Sequence, residues 1–549
     1  MANTLYENIF FMLGGIAFLM FGMKIMGSNL EQVAGNNLKK MLGKVTDNRF
    51  GGVLVGAGVT ALINSSTATT VMLVGFVNIG LMTLVQATSV IMGANIGTTI
   101  ISIILAVSGT GFKTAAYASL IAVIGMVFSI VFKKDKLKKI GNIMLGIGLI
   151  FMGLEVMSAS ISWIVGEYNS LIFSVLSEKH FPLILILIGL VLTAIMHSSG
   201  ALTAILIALG PAISFQNAAF IILGSNIGTC VTSLVSSVGT STNAKRTAVI
   251  HLLFNLIGCI LFIIPVWIWG DDLGAYLETT ALNRQMQIAV FHVVFNVGTT
   301  LLLIGFIKPL VCVAEKLVPD KNGELDEKHR LTFIDDRLLE TPPIAVGNIK
   351  NEIIKMGSIA RENINYAVQM LIDPSVDNVE IIKENEKCIN FFNRSITDFL
   401  TKLMGKNLNI MDERKVGSYY HVVSDVERVG DYAENIMEYA VKLRSEEMSM
   451  SPDAVAEIKE LTDRINALYD ASIVAFDKRD ESRLAEIDIL EESVDTLSES
   501  LGNKHIERVK KGQCTAQAGS FYLQTVSNLE RVGDHITNLA FSIKQYNKN

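Results

Sequence analysis

Residues 59–70, Val-Thr-Ala-Leu-Ile-Asn-Ser-Ser-Thr-Ala-Thr-Thr, place hydroxyls and an amide inside apolar sequence, and the pattern returns at 192–203 as Leu-Thr-Ala-Ile-Met-His-Ser-Ser-Gly-Ala-Leu-Thr. Thr60, Ala61, Ser65, Ser66, Ala68 and Thr70 find Thr193, Ala194, Ser198, Ser199, Ala201 and Thr203, each 133 positions on. A second polar stretch follows each copy, Gly93-Ala-Asn95-Ile-Gly97-Thr98 after the first and Gly224-Ser-Asn226-Ile-Gly228-Thr229 after the second. At bilayer depth such residues are tolerated only where they pack helices or line a cavity, and paired interruptions in corresponding halves point to a transporter's binding site. One such stretch is best explained by small residues letting helices approach closely. Four in two matched pairs reverse that weighting.

The elements that position these residues are apolar. Half of the 549 residues are hydrophobic and mean hydropathy is +0.44, yet 18% are charged and most of those follow residue 314. The spacing rule for spans gives a membrane part of about 310 residues and a soluble tail of about 230. A net charge of −6 gives no reason to invoke nucleic acid, and the five scattered cysteines suggest neither a disulfide framework nor a thiolate metal site. The first apolar stretch, 9–28, lacks a basic leader and contains Lys24, so it reads as a retained span. Apolar segments then recur at 52–63, 71–82, 87–107, 114–132, 140–162, 181–196, 201–209, 218–236, 247–270 and 288–314. Several are too short to span, and both serine stretches lie between such pieces, the pattern of a re-entrant or broken hairpin. Phe18–Met26 resembles Phe151–Met157, and Lys113-Thr-Ala-Ala resembles Lys245-Arg-Thr-Ala, so the repeat extends beyond the polar stretches. The organisation expected is repeat 1 over 1–132, repeat 2 over 133–270, a final transmembrane helix over 271–314, a linker over 315–345 and a helical domain over 346–549.

Loop charge orients the repeats. Lys133, Lys134, Lys136, Lys138 and Lys139 follow the closing span of the first repeat, whereas Asp271, Asp272 and Glu278 follow that of the second. Lys39, Lys40, Lys44 and Arg49 follow the first opening span, and mainly Glu167 and Glu178 the second. By the positive-inside rule the equivalent ends lie on opposite sides, so the repeats are inverted, the N-terminus is outside and the tail is inside. His251 and His292 stand in two similar stretches, 248–255 and 289–296, where a helix–helix hydrogen bond is the expected role.

After a linker holding Pro319, Gly323, Pro342 and Pro343, apolar residues at spacings of three and four predict long helices. Glu427-Arg-Val-Gly-Asp431 recurs as Glu530-Arg-Val-Gly-Asp534, and Glu386 and Asn390 match Glu491 and Asp495. Each pair presents both side chains on one helix face. A solvated acidic face explains any single pair, but like charges at i, i+4 repel and invite a cation, and oxygen-only ligands favour hard or borderline metals.

The membrane half resembles the bacterial members of the type II sodium-phosphate cotransporter family, whose signature is a repeated Gln-Ser-Ser-Ser followed by Gly-Ala-Asn-Ile-Gly-Thr. Here it reads Asn64-Ser65-Ser66-Thr67 with Gly93–Thr98, and His197-Ser198-Ser199-Gly200 with Gly224–Thr229. The tail resembles PhoU, a pair of three-helix bundles whose Glu/Asp-x-x-x-Asp/Asn motifs hold multinuclear metal clusters in relatives. The resemblance implies an all-α polytopic transporter of the cytoplasmic membrane, not an enzyme, carrying inorganic phosphate with sodium and regulated by a cytoplasmic PhoU-like domain. It carries phosphate contacts over to Ser65, Ser66, Ser198 and Ser199, and sodium contacts to Asn64, Thr67, Asn95, Thr98, Asn226 and Thr229. Divalent or ferric cations would fall to Glu386, Asn390, Glu427, Asp431, Glu491, Asp495, Glu530 and Asp534. The family glutamine is replaced by Asn64 and His197, and the third hydroxyl is kept at Thr67 but lost at Gly200.

The physics agrees with that implication. Broken-helix N-termini, backbone amides and serine hydroxyls can hold a dianion at the midplane without a buried arginine, while sodium balances its charge through hydroxyl, amide and main-chain oxygens. An intramembrane serine hydrolase built on His197 and Ser198 is disfavoured, because neighbours in sequence do not face each other on a helix and no third orienting group is evident. A non-transporting phosphate- or metal-responsive receptor would not need four polar stretches, and another small oxyanion could replace phosphate. Whether the chain pairs as a homodimer is open at this level.

Overall fold

The computed structural model describes residues 5–42, 48–107, 114–132, 134–167, 180–280, 282–319, 331–406 and 408–546, and every regular element among them is helical. Lys44, Lys113, Lys133, Glu178 and Gly323, used above for repeat and topology, lie outside the described residues. Two compact units are present, Met1–Asn322 and Gly323–Asn549.

The first unit runs α1 (Leu5–Leu42), α2 (Arg49–Ile63), α3 (Ser66–Asn78), α4 (Leu84–Val107), α5 (Thr114–Val131), α6 (Asp135–Glu167), α7 (Pro182–Met196), α8 (Ser199–Leu209), α9 (Phe215–Ser236), α10 (Thr242–Glu278), α11 (Arg284–Leu303) and α12 (Ile307–Leu317). Six stretches are long and apolar enough to cross a membrane: Leu5–Val33, Leu84–Val107, Asp135–Glu167, Phe215–Ser236, Thr242–Glu278 and Arg284–Leu317. α2, α3, α7 and α8 are shorter than a span. α3 buries Thr69 through Val77 and α8 buries Ser199 through Ala204, so these half-length helices are enclosed by protein on nearly all sides. That enclosure is what lets the chain break between α2 and α3 and between α7 and α8 without leaving backbone polar groups in lipid.

Glycines set the packing, and they do so twice in the same way. A Cβ on Gly93 would lie 2.0 Å from the Val53 carbonyl oxygen of α2, and one on Gly224 1.9 Å from that of Ile186 in α7. Gly97 meets the Ala57 carbonyl and Gly228 that of Leu190; Gly56 meets Val90 and Gly189 meets Ile221. Only glycine permits this approach, and the register of the contacts makes α2 parallel to α4 and α7 parallel to α9. α1 and α6 also touch through glycines, Gly15 with Gly153 and Gly22 with Gly146, a register that makes them antiparallel.

Three boundaries depart from the sequence reading. α10 continues through Asp271 and Asp272 to Glu278, so the border placed at 270 falls inside a helix and these acids lie in its last turns. The single helix expected over 271–314 is interrupted by a 3₁₀ turn at Ile304–Phe306. Pro342 and Pro343 open a helix instead of closing a linker, since a proline at the first helical positions gives up no intrahelical hydrogen bond.

The second unit contains α13 (Pro342–Ile372), α14 (Val379–Met404), α15 (Ile410–Ser445), α16 (Pro452–Lys478), α17 (Leu484–Lys510) and α18 (Ala516–Phe541). α13–α15 pack on one another, as do α16–α18, giving two three-helix bundles whose cores hold Ile353, Phe392 and Val423 in one and Ile465, Val494 and Leu529 in the other. Asn409, Ser451 and Thr515 cap α15, α16 and α18 through side-chain oxygens. Glu352, fully buried on α13, accepts the N–H groups of Thr332, Phe333 and Ile334 and so fastens the segment before the bundles.

Alanine at Gly224 or Gly93 should force the helix pairs apart and destabilise the membrane unit by roughly 1–3 kcal/mol, the usual cost of overpacking. Alanine at Gly200, whose nearest neighbour is 3.5 Å away, should be accepted. Thermal unfolding of the purified variants in detergent measures the contrast.

Candidate functional site

α2 ends at Asn64 (φ 55°, ψ 32°) and α7 at His197 (φ 52°, ψ 25°), both left-handed. Asn and His are among the few residues besides glycine that enter this region readily. Ser65 and Ser198 follow as N-caps of α3 and α8, with φ of −151° and −152°, and their hydroxyl oxygens accept the N–H of Ala68 and Ala201, each at 3.1 Å. Capping uses the oxygen as acceptor and leaves the hydroxyl hydrogen to donate. The first N–H groups of each helix, on Ser66 and Thr67 and on Ser199 and Gly200, have no partner within it. Ser66 and Ser199 are buried.

The two breaks meet. Thr67 Oγ1 donates to the His197 carbonyl at 3.3 Å, linking residues 130 apart. His197 itself turns Nδ1 to Thr232 Oγ1 at 3.1 Å. Thr60 on α2 bonds Thr69 on α3 at 3.1 Å, and Thr193 on α7 bonds Ser225 on α9 at 2.8 Å. The Thr67–His197 contact sets the first turn of α3 beside the end of α7, and a helix N-terminus supplies donors and positive potential suited to an anion.

Asn95 and Asn226 hold matching poses on α4 and α9. Each is buried and donates Nδ2 to the carbonyl four residues back, Ile91 or Ile222, at 2.9 Å, which leaves Oδ1 as its acceptor end. Thr98 donates to the Ala94 carbonyl and Thr229 to that of Asn226. With their hydrogens committed, these hydroxyls offer lone pairs, the part a cation uses.

His251 and His292 make the helix–helix hydrogen bonds expected of them, and the partners they choose were not in the sequence reading. His251 Nδ1 meets Ser233 and His292 Nδ1 meets Ser102, both at 3.0 Å, and the two serines are 131 apart, as Asn95 and Asn226 are. α11 therefore does for α4 what α10 does for α9. The span at 114–132, expected to close the first repeat, packs on α6 instead. Asn255 and Asn296 donate Nδ2 to the carbonyls of His251 and His292, yet their Oδ1 atoms, and Thr299 Oγ1, are buried without a hydrogen-bond partner. An unpartnered buried polar atom costs about 1–3 kcal/mol, so two at equivalent positions call for a ligand. The repeated Ala-Val-x-His-x-x-Phe-Asn was the signal.

In the tail the four acidic pairs gather as two clusters. Glu386 on α14 faces Glu427 and Asp431 on α15; its Oε1 accepts from Asn390 Nδ2 at 2.8 Å, while Oε2 is buried without a partner. Gly430 makes the room, since a Cβ there would lie 2.7 Å from that oxygen. Burial, then Asp431, Glu434 and Glu427, push Glu386 up to about 7. Burial and Asp431 raise Glu427; on α17 and α18, burial and then Asp495 and Asp534 raise Glu491, and burial with neighbouring acids raises Glu530 and Asp534. A preformed metal cluster is not what these residues make: among the described residues no group of three or more His, Cys, Asp or Glu is arranged to hold an ion. Facing carboxylates repel, and the raised acids register that repulsion. The orphaned Glu386 oxygen is the feature that fits a hard cation.

The family model for the Na+/Pi-cotransporter matches residues 18–159 and 167–277, and that for the PhoU domain matches 353–440 and 458–543. Over 538 residues, 97% of this chain and 96% of the relative, the sequence is 24% identical to the Escherichia coli K12 protein named Putative inorganic phosphate export protein YjbB. Over 196 residues, 35% of this chain and 88% of the relative, it is 24% identical to the phosphate-specific transport system accessory protein PhoU homolog of Clostridium acetobutylicum. The crystal structure of PhoU from Pseudomonas aeruginosa aligns with 36% of this chain and 95% of its own, at 21% identity and a TM-score of 0.35.

Glu386 binds its proton more tightly folded than unfolded, so its contribution favours folding below the ordinary glutamate range and is lost as pH rises to about 7. Without added metal the tail should therefore unfold more readily at pH 8 than at pH 5, and Glu386→Gln should flatten that difference. Thermal unfolding of full-length protein across this pH range, in chelator, is the measurement.

Proposed function

We propose that this chain moves inorganic phosphate with sodium across the cytoplasmic membrane and that its tail regulates the flux, on the ground that the Na+/Pi-cotransporter family model matches its N-terminal region and the PhoU domain model its C-terminal region. The observation that carries the reading is the matched pair of helix breaks meeting at Thr67 and His197. In it, Ser65, Ser66, Ser198 and Ser199 donate to one phosphate, and the open N–H groups of α3 and α8 supply the positive potential. Sodium takes the oxygens of Asn64, Thr67, Asn95, Thr98, Asn226 and Thr229, joined by the orphaned Oδ1 atoms of Asn255 and Asn296. The names borne by the Escherichia coli and Clostridium relatives, a phosphate exporter and a phosphate transport accessory protein, agree with this substrate.

Alternating access follows from inverted repeats. Two pairs of counterparts support the inversion: α1 and α6 run antiparallel, and so do α10 and α11, where Gly258 meets Thr299 and Gly298 meets Phe262. The N-terminus then lies outside and the tail in the cytoplasm. There Glu386, Asn390, Glu427, Asp431, Glu491, Asp495, Glu530 and Asp534 take divalent or ferric cations and report them to the transporter.

Purified protein in liposomes should accumulate phosphate only with an inward sodium gradient; sodium-independent uptake would defeat the reading. Hydrogen bonds to charged groups contribute about 1.5–3 kcal/mol, so Ser66→Ala or Ser199→Ala should weaken apparent phosphate affinity roughly tenfold or more at normal expression. Coupling is reciprocal, so raising sodium should lower the apparent phosphate constant. A cysteine at Asp272 should react with an impermeant thiol reagent from outside and one at Lys136 only after permeabilisation. Equal external labelling of the two would rule out the inversion.

A further inference from the structure

The tail's duplication leaves a cavity that neither transport nor the acidic clusters use. Residues of α15 recur in α18 at an offset of 103, Glu427 to Glu530 and Asp431 to Asp534, and the two helices pack together across the seam between the bundles. Tyr432 stacks on His535, its own counterpart at that offset, with ring centroids 5.9 Å apart and planes 30° from parallel. That pair marks a local twofold axis, and every contact on one side has a counterpart position on the other. On one side Tyr439 packs against Phe521, with ring centroids 5.7 Å apart and planes at 33°. Their counterparts across the axis are Ser542 and Ser418. Where two rings fill the seam on the first side, a cavity of about 380 Å³ opens on the second, bordered by Ser418, His421, Asp425, Asn538, Phe541 and Ser542.

Its lining is made for recognition. A void left only by poor packing would be apolar and dry; this one presents an imidazole, a carboxylate, a carboxamide and hydroxyls around the ring of Phe541. Asp425 Oδ1 is held by His535 Nδ1 at 2.8 Å and Asn538 Nδ2 at 3.4 Å, which fixes the carboxylate at the seam. The volume lies within the range of small-molecule sites, which pair an apolar wall with a few placed polar groups. The space corresponds to two aromatic side chains on the other side, so an occupant of that size has to lay an aromatic face on Phe541 and satisfy donors and acceptors at its edge. We propose that the cavity binds the purine base of a nucleoside or nucleotide. Because α15 and α18 also carry Glu427, Asp431, Glu530 and Asp534, a base in the seam braces the helices of both acidic clusters.

The test uses full-length protein in detergent and equilibrium dialysis with labelled adenosine, guanosine and their 5′-monophosphates. At least one should bind saturably with one site per chain, and cytidine, whose single ring fills half the vacated space, should bind more weakly. Ser418→Phe combined with Ser542→Tyr rebuilds the aromatic pair of the other side. It should abolish binding while the thermal unfolding midpoint holds or rises, since the rings fill a void. Should that variant fail to fold, His421→Ala keeps the volume, removes part of the polar edge and should weaken binding at least about tenfold. The proposal is overturned if no purine probe binds wild-type protein at millimolar concentration, if cytidine binds as tightly as the purines, or if the folded double variant or His421→Ala binds like wild type.

Discussion

Backbone polar groups have no partner in lipid, and the membrane unit is arranged around that constraint. Two chain breaks expose the N–H groups of Ser66 and Thr67 and of Ser199 and Gly200, so the segments around them have to be enclosed. Short helices α3 and α8 are almost wholly buried, and the glycines at 56, 93, 97, 189, 224 and 228 bring α2 against α4 and α7 against α9 at backbone contact. The same N–H groups that would be a liability facing lipid become donors when they face a shared junction. Folding requirement and binding chemistry are one problem here, and the sequence answers it twice.

Much of this was legible because it was written twice. Matching Asn64-Ser65-Ser66 against His197-Ser198-Ser199 locates both breaks to the residue, and the structure finds the two left-handed residues and the two serine caps at those places. The bundles were legible for the usual reason, apolar residues at helical spacing. Boundaries were less so. Acidic residues such as Asp271 look like a loop, yet charges are at home in the last turns of a long helix, and Pro342 looks like a stop although proline is a good helix start.

What stayed hidden was pairing between elements. Lys113-Thr-Ala-Ala resembles Lys245-Arg-Thr-Ala and suggests that the span at 114–132 closes the first repeat, whereas Ser102 chooses His292, almost two hundred residues downstream. Similarity along the chain says which segments share an origin; which helix each one packs against depends on surfaces that a linear pattern does not record. The orphaned oxygens of Asn255 and Asn296 are invisible for a related reason, since an asparagine on an apolar face reads as a helix–helix hydrogen bond until the partner is sought and found missing. In the tail, spacing located all eight residues of the four pairs but could not say that Glu386 is buried more deeply than its counterpart Glu491, and that difference makes the clusters unequal.

The link between the two breaks is modest. A hydroxyl on a carbonyl at 3.3 Å is a long hydrogen bond between neutral groups, of a kind whose net contribution is about 0.5–1.5 kcal/mol. Losing it shifts a two-state balance by roughly two- to tenfold, far less than the overlap of backbones that would follow from shifting the glycine-packed pairs. Within each α2–α4 or α7–α9 block the glycines set helices at backbone distance, whereas the blocks meet side chain to side chain, α3 on α9 and α4 on α8, so what joins them is replaceable one side chain at a time.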